Sequence, residues 1–249
     1  MTGANWLFID AGNTRIKWGV KGGGAWLAFG AGPKDDVAAL AGAWAAWIGP
    51  GTQAAGCNVA GEGVGAELAS ALTAQRVSLR WLAAVESAAG VTNGYDRPRQ
   101  LGADRWAALV GAWTACGAAC LVVNAGTALT VDALDDGGRF LGGLIAPGVR
   151  TMLASLARDT AGLTDAPGRH AAFPTCTADA MTTGALDAAA GAVERARARL
   201  ESRCGHAVPI VLSGGGGPAL HPLLTGDVRS REHLVLEGVN RLATEGTAS

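Results

Sequence analysis

The sequence predicts an α/β protein made of two similar domains, and three observations carry that expectation. Apolar and polar residues alternate with a period near two in LFIDAGNTRIKWGV (7–20) and again in LVVNAGTALTVDAL (121–134), the pattern of half-buried strands. These two stretches nearly repeat: setting Gly12 against Gly126 gives an offset of 126 minus 12, or 114 residues, and places Asp10-Ala-Gly-Asn-Thr opposite Asn124-Ala-Gly-Thr-Ala. Between and after them, apolar residues recur three and four apart, as on amphipathic helices. With 249 residues and 49% hydrophobic content the chain can bury a sizeable core, and the repeat divides it into expected domains 1–116 and 117–249.

Each element follows from local chemistry. Residues 5–30 read as one or two hairpins, because the alternation is interrupted by the glycine turn at Gly22, Gly23 and Gly24. Val37, Leu40, Ala41, Trp44 and Trp47 share one face of a helix over 35–48, where the tryptophans are core packing. Residues 57–62 suggest a short strand ending in a turn, and 63–75 a second helix. Asn93-Gly94 and Pro98 keep 92–102 irregular before a helix over 103–116. The second half restarts with a hairpin and a further strand after Asp136-Gly137-Gly138; helices follow over 149–158 and 178–202, then a strand, glycine loop and helix start over 208–220.

Composition excludes several classes. Twenty Lys+Arg against 21 Asp+Glu leave a net charge of -1, without the basic footprint that nucleic acid needs. No basic, apolar leader opens the sequence, and no apolar run approaches the roughly 20 residues of a spanning helix; a cytoplasmic protein with no membrane partner is expected. Five cysteines without a C-x-x-C pair read as reduced structural thiols. His170, His206, His221 and His233 show neither metal-like spacing nor an acid partner in sequence, and 162–175, bounded by Pro and Gly, reads as a loop.

The repeated turns suggest chemistry. Glycine lets a turn approach an anion closely, and short polar side chains beside it reach phosphate oxygens or a hydrated cation. Asp10 repels phosphate, so it suits Mg²⁺ or its waters, while Lys17, three residues beyond Thr14, is placed to offset the charge of a terminal phosphate. Asp104 opens the 103–116 helix, where a carboxylate can orient a hydroxyl, and Arg105 offers a planar fork for a carboxylate.

Taken together, DAGNTRIK (10–17), NGYDRPRQLGADRW (93–106), NAGTALTVD (124–132), GGLIAPG (142–148) and CTADAMTTG (176–184) make the sequence resemble the type III pantothenate kinases, members of the acetate and sugar kinase, Hsp70 and actin superfamily. The resemblance implies two ribonuclease-H-like domains with a nucleotide cleft between them, and transfer of the ATP γ-phosphoryl group to pantothenate. It assigns Asp10, Ala11, Gly12, Asn13, Thr14, Arg15, Ile16 and Lys17 to the ATP phosphates in the first loop, and Gly126 and Thr127 in the second. It makes Asp104 the base that accepts the hydroxyl proton, and Tyr95, Gly102, Ala103, Asp104, Arg105 and Thr177 the pantothenate contacts. It further implies Mg²⁺, a monovalent cation (potassium or ammonium) and a homodimer. The sequence departs from the family at Asn124, where an Asp usually serves the monovalent cation; the amide keeps a carbonyl oxygen but no charge, so weaker cation binding is expected. Asp132, eight residues on, offers a substitute carboxylate, although an ordinary strand-end role is the first expectation for it.

Three rival readings remain at this level. Gly214, Gly216 and Ala219 satisfy G-x-G-x-x-A and raise an NAD-binding oxidoreductase, although such a fingerprint normally opens its domain. A non-catalytic ATP-binding regulator of the same fold would not need Lys17, Asp104 and Arg105 together. A kinase acting on another small hydroxylated substrate is opposed by the 93–106 match.

Overall fold

Strands and helices alternate through a computed structural model that describes residues 5–164 and 166–245. The ends of the two expected domains, 1–4 and 246–249, and Asp165 in the 162–175 loop lie outside the described residues. The described chain forms two compact units, one of residues up to Ala115 together with those from Leu234 onward, the other Cys116–His233.

In the first unit, β1 (Trp6–Ala11), β2 (Arg15–Gly22) and β3 (Ala25–Pro33) form an antiparallel meander; α1 (Val37–Trp44), β4 (Gln53–Asn58), α2 (Glu62–Ala74) and β5 (Leu79–Trp81) follow. The sheet order is β3-β2-β1-β4-β5, with β4 parallel to both β1 and β5. Alternation puts Leu7, Ile9, Ala11, Ile16, Trp18 and Val20 on one face, buried against Leu40, Trp44, Leu68 and Leu72. The Asp36 side chain caps α1 by accepting the Ala39 amide at 3.0 Å. Trp44 is fully buried, edge-on to Trp18 at 6.2 Å, as core packing requires. The helix stops there, however, and Trp47, expected on the same face, is 40% exposed beyond its end. Strand β4 starts four residues before the expected 57 because a strand buried between two neighbours has no polar alternation to reveal it. Its small residues serve packing: a Cβ on Gly56 would stand 2.7 Å from the Ile9 carbonyl oxygen.

A two-residue ladder, β6 (Ser87–Ala88) with β7 (Val91–Thr92), and a single 3₁₀ turn at Pro98–Gln100 lead into α3 (Ala103–Cys116). The second unit then repeats the first strand for strand. β8 (Cys120–Ala125), β9 (Ala128–Leu134) and β10 (Phe140–Pro147) are antiparallel; α4 (Val149–Asp159) and α5 (Thr177–Cys204) precede β11 (Ile210–Ser213), α6 (Gly217–Leu220) and β12 (Val228–Ser230), in sheet order β10-β9-β8-β11-β12. Leu121, Val123, Leu129, Val131, Val193, Ile210 and Leu212 fill its core.

The last helix, α7 (Leu234–Thr244), packs on β1, β4 and α3 of the first unit, a placement that the expected boundary at 116/117 does not describe. Two glycines make this contact possible. A Cβ on Gly111 would lie 2.6 Å from the Leu234 carbonyl oxygen, and one on Gly238 would overlap the carbonyl of Ala107. Gly238→Ala is therefore expected to cost about 3 kcal/mol, since backbone rather than a yielding side chain blocks the methyl; urea denaturation of both proteins measures it. No described helix is long and apolar enough to cross a membrane.

Candidate active site

Because Leu7, Ile9 and Ala11 face the core, Phe8 and Asp10 are turned to the other face of β1. The ladder sets Asp10 between Lys17 on β2 and Cys57 on β4. Asp10 is 8% exposed, and its Oδ1 accepts a weak hydrogen bond from Cys57 Sγ at 3.6 Å. Burial pushes the Asp10 carboxyl up to about 6; Lys17 pulls it back, and the charge of Asp104 adds to the rise. The same burial, with Asp10 and Asp104 nearby, lifts the Cys57 thiol well above its usual range, so it remains a protonated donor. Two carboxylates and one ammonium thus converge in the first unit, joined by a cysteine that sequence reading dismissed as structural.

Asp104 occupies the first turn of α3, and the Trp106 amide bonds the Gly102 carbonyl at 2.9 Å to start the helix. A Cβ on Gly102 would lie 2.7 Å from Asp104 Oδ1, so the absence of a side chain at 102 sets where this carboxylate can point. Arg105, 6% exposed, donates from Nη1 to Tyr95 Oη at 2.9 Å and lies over that ring at 5.7 Å from its centroid. Tyr95 is itself positioned by Asn93, whose Oδ1 accepts the Tyr95 amide at 3.1 Å while its Nδ2 donates to Val85 and Pro98 carbonyls at 3.2 and 3.1 Å. From sequence Asn93 serves only to keep 92–102 irregular, and it is its burial that reveals the pinning role.

The two glycine turns are alike but not identical. Ala11 pairs with Ile16 across four intervening residues, Ala125 with Leu129 across three. The ladder partner of Asp10 is Lys17, whereas that of Asn124 is Thr130, so the 114-residue offset becomes 113 on the returning strand. Asn124 lies between Thr130 and Ser213 as Asp10 lies between Lys17 and Cys57. Buried Asp132, 1% exposed, pairs with Val122 two rungs further along and so on the same face, which is a strand-interior place rather than the expected strand end.

Several expected contacts take a different form. The amides of Gly12 and Gly126, offered above to phosphate, close their own turns by donating to Arg15 O at 3.2 Å and Ala128 O at 3.0 Å. Ala11 and Ile16 point into the apolar core, so only their backbone could meet a ligand, whereas Asn13, Thr14 and Arg15 are exposed at the tip. In the second turn the Thr127 carbonyl accepts the Gly148 amide at 2.9 Å and Thr151 Oγ1 at 2.7 Å. Thr177 is exposed at the first position of α5. Gly214, with φ of 94°, packs against Ala125 and Asn124, and its loop opens a helix of only four residues. A dinucleotide fingerprint instead launches a full crossover helix at its domain's first strand. Two histidines do have acid partners: His170 Nε2 lies 2.8 Å from Asp187 Oδ1, and His206 Nε2 lies 3.0 Å from Asp136 Oδ2.

Comparison with known proteins supplies the family and the fold. The sequence profile of the type III pantothenate kinases matches residues 6–199. A type III pantothenate kinase of Aromatoleum aromaticum is 47% identical over 248 residues, covering 98% of this chain and 99% of its own, and one of Nitrosospira multiformis is 43% identical over 239 residues, covering 96% and 91%. Among solved structures, the ethanolamine utilization protein EutJ of Carboxydothermus hydrogenoformans superposes with a TM-score of 0.58 at 12% identity, covering 97% of this chain and 91% of its own. Component A of the Acidaminococcus fermentans (R)-2-hydroxyglutaryl-CoA dehydratase gives 0.52 at 15% identity, covering 98% and 97%. At such identities these two speak for the fold alone.

Proposed function

We propose how this chain, which belongs to the type III pantothenate kinase family, passes the γ-phosphoryl group of ATP to the primary hydroxyl of pantothenate, the first step of coenzyme A synthesis. The observation that carries the reading is Asp104 at the start of α3, given room by the missing side chain of Gly102 and followed by buried Arg105 bonded to half-buried Tyr95. Asp104 accepts the proton of the attacking hydroxyl, and Arg105, oriented by Tyr95, directs further N–H groups to the pantothenate carboxylate. Gly102, Ala103 and Thr177 complete the acceptor contacts in this reading. In this reading Lys17 and the exposed tip Asn13, Thr14 and Arg15 meet the ATP phosphates, and Gly126 and Thr127 form the matching turn of the second unit.

The donor set fits a hard divalent cation: Asp10 is a buried carboxylate whose charge is only partly answered by Lys17 and is opposed by Asp104. When bound, Mg²⁺ supplies neutralisation of charge on the phosphates. Asp10 would hold that ion or its waters. At the equivalent rung Asn124, Thr130 and Ser213 offer neutral oxygens only, which supports weak monovalent cation binding. In this reading the protein is cytoplasmic, consistent with five free cysteines, and homodimeric, consistent with Ile145 and Phe173 being 64% and 92% exposed.

A coupled assay of ADP release tests the activity. Release is expected to require pantothenate and to change little when potassium replaces sodium; release that ignores pantothenate removes the substrate assignment. Gly102→Ala is expected to lower kcat by about tenfold with little change in Tm, because the new methyl displaces Asp104 and nothing in the core.

A further inference from the structure

Three side chains with different ligand atoms meet in the second unit, away from the turns described above. Asp136 lies in the turn between β9 and β10, Cys204 is the last residue of α5, and His206 follows the left-handed Gly205, φ 77°, that caps this helix. A carboxylate oxygen, a sulfur and an imidazole nitrogen all fall within 4.8 Å of one another. Gly205 matters because a left-handed residue between Cys204 and His206 turns two positions in sequence toward one point.

Two hydrogen bonds orient the group. His206 Nδ1 lies 3.0 Å from the Ala207 carbonyl oxygen and Nε2 3.0 Å from Asp136 Oδ2; both partners only accept, so the ring that makes both bonds is the imidazolium, and loss of its Nε2 proton opens Nε2 to a metal while Nδ1–H stays on the carbonyl. Asp136 Oδ1 accepts the Ala119 amide at 3.2 Å, leaving Oδ2 facing the ring. An imidazole fixed through its far nitrogen to a backbone carbonyl, beside a carboxylate anchored by its second oxygen, is the usual outer support of a metal centre.

We propose that Asp136, Cys204 and His206 form a binding site for a borderline-soft divalent cation, with Zn²⁺ as the natural occupant. Mixed sulfur, nitrogen and oxygen donors favour zinc over magnesium or calcium, and three protein ligands leave a fourth position for water. Zinc bonds of about 2.0–2.3 Å put tetrahedral donors about 3.3–3.8 Å apart, a small closure from the observed cluster. Binding replaces the Cys204 thiol proton and the Nε2 proton that bridges His206 to Asp136, and both pass to solvent. The ion would staple the end of α5 to the β9–β10 turn, and its binding is independent of the phosphoryl-transfer reading.

The test uses the tag-free full chain, stripped with EDTA, kept reduced, and titrated with Co²⁺ as a spectroscopic stand-in. One equivalent is expected to bind with a near-ultraviolet thiolate-to-cobalt band that Zn²⁺ displaces. The band should vanish in Cys204→Ser and persist in Cys116→Ser and Cys176→Ser. His206→Gln alters an exposed ring, so its fold, checked by circular dichroism, should be retained while affinity falls at least about tenfold. Zn²⁺ should raise Tm in the wild type more than in His206→Gln. Absence of the band at excess Co²⁺, or full stoichiometry in both Cys204→Ser and His206→Gln, would overturn the site and leave an ordinary Asp136–His206 ion pair.

Discussion

Asp104→Asn is expected to cut turnover by a factor on the order of a hundred or more while ATP affinity stays close to that of the wild type. A positioned general base contributes roughly a hundredfold to ten-thousandfold, and the amide keeps the size of the carboxylate but accepts no proton at neutral pH. Nucleotide affinity is spared because the residues assigned to phosphate lie on the β1–β2 and β8–β9 turns, whereas Asp104 lies on α3. The substitution also removes a negative charge that raises the Asp10 carboxyl, so Asp10 should titrate lower in the variant. Single-turnover kinetics with isothermal titration of an ATP analogue separates the outcomes. Unchanged turnover would take Asp104 out of the mechanism; equal losses in turnover and nucleotide affinity would make its role electrostatic rather than that of a base.

How far the sequence foretold this depends on the kind of signal each residue leaves. The hairpins were legible because period-two alternation and glycine turns are local, and the likeness of the two units was legible because Gly12 and Gly126 repeat, whereas the strand order they share was not. Strand β4 was half lost because a doubly covered strand of small residues has no period to read. The placement of α7 on the first sheet was not legible, since Gly111 and Gly238 acquire meaning only when two helices meet. At the candidate site, Asp10, Lys17, Asp104 and Arg105 draw attention because they stand in motifs. Cys57 and Asn93 were passed over because their roles come from ladder register and burial. The pairing of Asp136 with His206 joins residues 70 positions apart and leaves no trace in spacing. The turn amides were misjudged for a related reason: a tight turn uses the N–H of its first glycine to close itself before it can serve an anion.

Asp10→Asn is expected to abolish most activity yet stabilise the metal-free and nucleotide-free protein. The sign follows from linkage. The Asp10 carboxyl rises from 3.8 when unfolded to about 6 when folded, so the folded chain binds the proton more tightly. Its favourable contribution is fully present below 3.8 and is lost as pH rises through about 6, beyond which the fold carries a buried charge. A shift of that size corresponds to about 3 kcal/mol at neutral pH, the upper limit of what the neutral amide can recover, since Lys17 then loses its partner. The Cys57 thiol can still donate to the amide oxygen, so the variant leaves no new orphan there. Urea denaturation in EDTA should therefore show Asp10→Asn more stable than the wild type well above pH 6, with the gap closing as pH falls toward 3.8. In the assay the same variant should lose on the order of a hundredfold in turnover, because the amide offers no charge to a divalent ion or its waters. A gap that does not vary with pH would mean that Asp10 is solvated in the folded chain, and the case for a buried carboxylate held ready for a cation would fall with it.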